Sequence, residues 1–287
     1  MTPHHHHDHH DRQDDHDDFG GLGRDLRATG AAMDRRGLLR LAGRFGAALG
    51  ALPLIGCGSS PTTPSSTGST NTGTGTGNST CSTRIPEETQ GPFPADGSNG
   101  PTVLSASGVV RNDIRPSFAG LSGVADGIPL EIVLTIVSAS TCAPLSGRAV
   151  YIWHCDRLGR YSLYSQGVTN QNYLRGVQEA DANGRLTFTS IVPGCYAGRW
   201  PHIHFEVYPS LAAATSVANR AATSQIALPK TACDLAYATS GYQSSVTNLS
   251  QVSLATDNVF SDGAALELAT VTGSVASGFS ASLTVAI

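Results

Sequence analysis

Two alternating histidines, with a tyrosine and an arginine just before them, carry the chemistry this sequence can do. They stand in Pro193-Gly194-Cys195-Tyr196-Ala197-Gly198-Arg199-Trp200-Pro201-His202-Ile203-His204-Phe205-Glu206. From His202 to Tyr208 the residues follow the two-residue period of a half-buried strand. Ile203, Phe205 and Val207 then share one face, and His202, His204 and Glu206 the other. Two neutral imidazoles at i and i+2 on a rigid strand can hold one metal ion between them. Seven of the ten histidines (His4, His5, His6, His7, His9, His10 and His16) lie in an Asp-rich N-terminal tail, which leaves His154, His202 and His204 in the body. A zinc site would need a further ligand from His154, Glu206 or a cysteine. Tyr196 points to a different shell, because phenolate is a hard anionic oxygen ligand suited to a highly charged ion such as ferric iron.

The elements that must position these groups read as strands. Leu130 to Val137, Ala149 to Trp153, Arg185 to Ile191, Ile203 to Tyr208, Gln225 to Leu228 and Ala281 to Ile287 are short runs rich in β-formers. Turn signals at 182–184, 192–194 and 158–159 separate them. Helix is sparse, with Ser210 to Ala222 the best candidate. The pattern predicts an all-β sandwich of mostly antiparallel strands with few short helices. No Gly-rich phosphate loop is present and the only lysine is Lys230, so the footprint of a nucleic-acid binder is absent.

The N-terminal third reads as targeting rather than fold. Residues 1–32 are a His/Asp-rich tail or precede the true start at Met33. Residues 33–57 form a twin-arginine lipoprotein signal: Asp34-Arg35-Arg36-Gly37-Leu38-Leu39-Arg40, an apolar run too short to span a bilayer, and Leu54-Ile55-Gly56-Cys57. Cys57 would carry the lipid, the chain's only tie to a membrane, and the protein would be exported and anchored at the cell surface or lie in the periplasm. Residues 58–80, almost wholly Ser, Thr, Gly, Pro and Asn, form a flexible linker, and residues 81–287 the folded domain. Setting Cys57 aside leaves Cys81, Cys142, Cys155, Cys195 and Cys233, enough for two disulfides and one spare thiol. A Cys155–Cys195 bridge would brace the site, with Cys81 the thiol left over.

Upstream of the histidine pair, Val150-Tyr151-Ile152-Trp153-His154-Cys155-Asp156-Arg157-Leu158-Gly159-Arg160-Tyr161 is a strand running into a Gly-containing turn that ends on a tyrosine. With Pro193-Gly194-Cys195-Tyr196 and the Arg199 to Phe205 strand, it resembles the intradiol ring-cleavage dioxygenases, the catechol and protocatechuate dioxygenase family. Glu88-Thr89-Gln90-Gly91-Pro92-Phe93 is similar to that family's Glu-Gly-Pro-Phe segment, and the resemblance runs from about residue 85 to residue 230. It implies a non-haem ferric ion held by Tyr161, Tyr196, His202 and His204. It also implies that O2 cleaves a small aromatic diol between its two hydroxyl carbons to give a muconate-type diacid. Tyr196 would leave the metal when the diol chelates it, while Tyr161 stays. Arg199 matches the arginine that stabilises anionic charge on the ring, and Gln225 a glutamine lining the same pocket. Family members commonly assemble, which implies a homo-oligomer.

The sequence also departs from the family. His154-Cys155-Asp156 replaces Gln-Ala-Asn, and Arg199 is separated from His202 only by Trp200-Pro201, which implies a different pocket wall. His154 and Glu206 are expected to support the site from behind rather than to ligate. Two other functions use the same residues: a zinc hydrolase built on His202, His204 and either Glu206 or His154, and a non-enzymatic transthyretin-like binding module.

Overall fold

A computed structural model gives the fold of residues 83–287. The tail, the twin-arginine segment with Cys57, the linker and Cys81 lie outside the described residues, and among those described no helix is long and apolar enough to cross a membrane. Among the described residues, eight strands form two four-stranded sheets. One has β1 (Pro129–Val137) between β4 (Arg185–Ile191) and β8 (Gly278–Ala286), with β7 (Thr270–Ser274) at the far edge. The other runs β3 (Arg175–Glu179), β2 (Ala149–Trp153), β5 (His202–Tyr208), β6 (Ala222–Ala227). All pairings are antiparallel except β1 with β8. The molecule is the all-β sandwich the alternation predicts.

Alternate residues of facing strands fill the space between the sheets: Leu130, Ile132 and Leu134 of β1, Phe188 of β4, Val150 and Ile152 of β2, and Ile203, Phe205 and Val207 of β5. The other face of the second sheet is not left to solvent. Residues 93–118 and the loop after β2 cover it, and a second apolar cluster forms there around Phe93, Tyr151, Trp153, Tyr161 and Tyr196. Every residue of β5 is therefore buried, where the sequence predicts burial on one face only.

Several expectations change at the level of single elements. Instead of the helix expected over Ser210 to Ala222, residues 210–221 form turns and one 3-10 turn at Val217–Asn219, and Ala222 opens β6. Polar side chains take the carbonyls that a helical ladder would use: Thr215 Oγ1 donates to Ala212 O and Asn219 Nδ2 to Ala213 O. Two short helices stand elsewhere, α1 (Lys230–Tyr237) and α2 (Gln243–Ser250). The Cys155–Cys195 bridge does not form: both are free thiols, as is Cys233, and burial pushes the Cys195 and Cys233 thiols up to about 12.

Candidate metal centre

The register of the second sheet sets the site. Arg175, Trp153, His204 and Gln225 lie side by side across β3, β2, β5 and β6. They stand on the face opposite Ile203 and Phe205, which the alternation along β5 requires. The Trp153 ring stacks on His204, with centroids 4.9 Å apart and planes 2° from parallel.

Two turns bring the tyrosines over this face. Asp156 shapes the first, its Oδ1 accepting from the Leu158 and Arg160 backbone N–H groups and its Oδ2 from the Arg160 guanidinium and the Tyr173 hydroxyl. The second turn, Pro193 to Tyr196, docks against it through Gly194 N–H donating to Asp156 O at 3.0 Å. Glycine is required at this contact: a Cβ on Gly159 would lie 3.0 Å from Tyr196 Cβ, and one on Gly194 would lie 2.6 Å from Arg157 O. Gly159 also has φ +80°, a left-handed conformation that glycine adopts without strain.

The four side chains meet at one point. His202 Nε2 lies 3.1 Å from His204 Nε2, 3.3 Å from Tyr196 Oη and 3.4 Å from Tyr161 Oη. All four residues are buried. His202 Nδ1 contacts the Trp200 carbonyl at 2.5 Å, and since a carbonyl only accepts, the proton is on Nδ1 and the lone pair on Nε2. One lone pair cannot serve three neighbours at this distance. Two ligands each about 2.1 Å from a common ion lie about 3.0 to 3.4 Å apart when their bonds meet at about 90° to 110°. The donor set therefore fits a metal ion, and two phenol oxygens with two imidazoles suit a hard, highly charged one. Burial, with the Arg199 charge second, holds His202 well below the usual imidazole range; burial and then His202 do the same to His204. Both rings are neutral, the state a ligand needs.

Arg199 and Gln225 belong to the same assembly. The Arg199 guanidinium donates from Nη2 to Gln225 Oε1 at 2.6 Å, and Gln225 Nε2 donates to Thr89 O at 2.9 Å. The Glu88 to Phe93 segment thus reaches the site, with the Phe93 ring 4.8 Å from that of Tyr161. Two participants carried no sequence signal. Asp257, in the loop after α2, accepts from Arg199 Nε at 2.9 Å, and Arg175 donates to the hydroxyl and carbonyl of Ser162, the residue after Tyr161.

Two supporting expectations are corrected. His154 turns to the other sheet, giving its Nδ1–H to Cys155 O and accepting from Ser190 Oγ at 2.7 Å. Glu206 pairs with the Tyr208 hydroxyl at 2.6 Å and with Arg220 rather than with a histidine, and burial pushes it up to about 8. Trp200 lies in the sandwich core with its indole N–H on Leu228 O. Among the described residues no three His, Cys, Asp or Glu side chains converge, so the zinc-hydrolase alternative has no third ligand of those types.

Residues 119–228 match a family model described as Dioxygenase. Over those residues the chain is similar in sequence to that family. That stretch holds Trp153, Tyr161, Tyr196, Arg199, His202, His204 and Gln225. No curated protein matches this sequence. Among solved structures, the chain is similar to the "Intradiol ring-cleavage Dioxygenase from Tetranychus urticae" at 24% identity and a TM-score of 0.57, over 71% of this chain and 94% of that one. At that identity the likeness concerns the fold. The dioxygenase domain of a dioxygenase carbohydrate-binding protein fusion from Streptomyces sp. SirexAA-E aligns over 71% of this chain and 98% of that one, at 21% identity and a TM-score of 0.43.

Proposed function

We propose that this protein is a non-haem ferric intradiol dioxygenase that opens a catechol-type ring between its two hydroxyl carbons. The observation that carries this reading is the convergence of Tyr161, Tyr196, His202 and His204 on one point, with donor atoms 3.1 to 3.4 Å from His202 Nε2. Those four residues would hold the ion. When bound, ferric iron supplies a Lewis-acidic centre that chelates the diol as its dianion and activates the ring toward O2.

The remaining work falls to the chain. A phenolate that yields its place can accept a proton from an incoming diol hydroxyl, and exchange of one anion for another keeps the local charge nearly constant. Tyr196 fits this role, because Tyr161 is packed under Phe93 and anchored through Ser162. Arg199 offers a fixed positive charge to the anionic ring, and Gln225 holds its Nη2 edge. Trp153 locks the His204 ring plane. The buried surroundings exclude bulk water from the reacting diol, and the overall change adds both oxygens of O2 to yield a muconate-type diacid.

The test is a visible spectrum of the folded domain with its iron content, followed by catechol under air. The expected result is a coloured protein with stoichiometric iron, a band that moves on adding catechol, and then a muconate chromophore. A protein that stays colourless after iron loading would overturn the ligand assignment. For location we propose export by the twin-arginine route and lipid attachment at Cys57, supported by the order of motifs in residues 33–57. Incorporation of a labelled fatty acid that survives Cys57→Ala would refute it.

A further inference from the structure

We propose that Asp257 is a positioning residue for Arg199, an inference that rests on the ring-cleavage reading above. Asp257 lies beyond the family-matched stretch, in the loop between α2 and β7, yet it is fully buried against the site. Both of its oxygens are saturated. Oδ1 accepts from the backbone N–H groups of Val259 at 2.8 Å and Phe260 at 3.1 Å. Oδ2 accepts from the Trp200 N–H at 2.7 Å and from Arg199 Nε at 2.9 Å. Three backbone donors therefore fix the carboxylate independently of the guanidinium it receives.

The consequence for Arg199 is geometric. Its Nε edge is pinned by Asp257 and its Nη2 by Gln225, and a planar group held at two separate edges has a defined plane. The Asp257 contact to the Trp200 N–H also fixes the backbone between Arg199 and His202, so the cation and the first ligand of β5 share one anchor. Phe260, in the same turn, lies 6.5 Å from the His202 ring at a steep angle. The loop therefore sets the distance between the positive charge and the metal face. A fixed charge aimed at a reacting ring acts without reorganising in the transition state, and small misplacements of such a group cost rate rather than binding.

The test compares wild type, Asp257→Asn, Arg199→Lys and the double variant after iron loading. For Asp257→Asn we expect kcat per bound iron to fall about 100-fold with KM within about threefold and the visible band unmoved. In the Arg199→Lys background the same change should cost less than about threefold, because its effect passes through Arg199. A second readout needs no turnover: the buried Arg199 Nε–H should exchange slowly with solvent in the wild type and rapidly in Asp257→Asn. Should Asp257→Asn not fold, Asp257→Glu keeps the charge and moves the carboxylate by one methylene, and the same kcat loss is expected. An iron-loaded, folded variant with kcat within about threefold of wild type would overturn the proposal, as would fully additive losses in the double variant. If the wild type itself neither colours nor cleaves catechols, the ring-cleavage reading has failed. The positioning of Arg199 is then judged on Nε–H exchange alone.

Discussion

His202 gives its Nδ1–H to Trp200 O, and His204 is stacked flat against Trp153, so each imidazole turns Nε2 toward the other. His204 Nδ1 has no hydrogen-bond partner and is buried, so on that edge the Trp153 stack, not a hydrogen bond, orients the ring. His204→Ala is therefore expected to remove one donor with little change in the fold. Loss of an outer partner of a metal ligand costs about 10- to 100-fold, so removal of the ligand itself should lower iron affinity and ring cleavage by at least about 100-fold. Tyr196→Phe deletes a single oxygen and should abolish ring cleavage with the domain intact by circular dichroism. Retained activity in either variant would sink the ligand assignment. At this scale the sequence was informative: the period along β5 put His202 and His204 on one face, and the register puts Gln225 beside His204. Asp257 was not legible, because a lone aspartate in a Ser/Thr-rich loop has no periodic or motif context. Only the tertiary path of the chain past Arg199 gives it meaning.

The elements that hold the site are two turns and one arginine-pinned strand. At the meeting of the turns, Gly194→Ala would place a Cβ 2.6 Å from Arg157 O and 2.9 Å from Gly159 N, both backbone atoms that cannot rotate away. We expect a loss of about 1 to 3 kcal/mol in urea unfolding, with ring cleavage falling further than stability because Tyr196 rides on the displaced turn. Arg175 works on the other side. It is buried and donates to Ser162 Oγ, Ser162 O, Phe93 O, Pro94 O and the Tyr151 hydroxyl, tying β3 to the segments that cover the metal face. Arg175→Lys leaves three donors where five bonds stood, so at least two of its charge-assisted bonds to buried groups are lost, at about 2 to 5 kcal/mol, although Pro94 O keeps the Tyr151 hydroxyl. A thermal midpoint equal to wild type would contradict this. β3 escaped the sequence reading because Arg175-Gly176-Val177-Gln178-Glu179 mixes charge with glycine, and β7 because Thr270 to Ser274 is a short polar edge. The stretch 210–222 misled in the opposite sense, its alanines suggesting a helix that its hydroxyl and amide side chains unmake.

For the molecule as a whole, the sandwich core and the metal face lie on opposite sides of the second sheet, so stability and chemistry can be perturbed separately. Glu267 tests this. It is buried in the loop that leads into β7, where that loop runs beside β6, with Ser224 Oγ donating to its Oε1 and its Oε2 unpartnered. Burial, reinforced by Glu88, raises it from an ordinary 4.5 to about 8, with Asp262 and Asp257 adding to the rise and the Ser224 bond opposing it. The folded state therefore keeps this proton to a higher pH than the unfolded chain does. Stability from this group is complete below about 4.5 and is lost as pH rises through about 8. Glu267→Gln cannot ionise. Its thermal midpoint relative to wild type should therefore climb from pH 5, most steeply midway between about 4.5 and about 8, and level off above about 8. Other titrating groups are common to both proteins and cancel in the difference. A difference that stays flat across that range would show that Glu267 is ionised in the fold throughout, and that its unpartnered oxygen is reached by solvent.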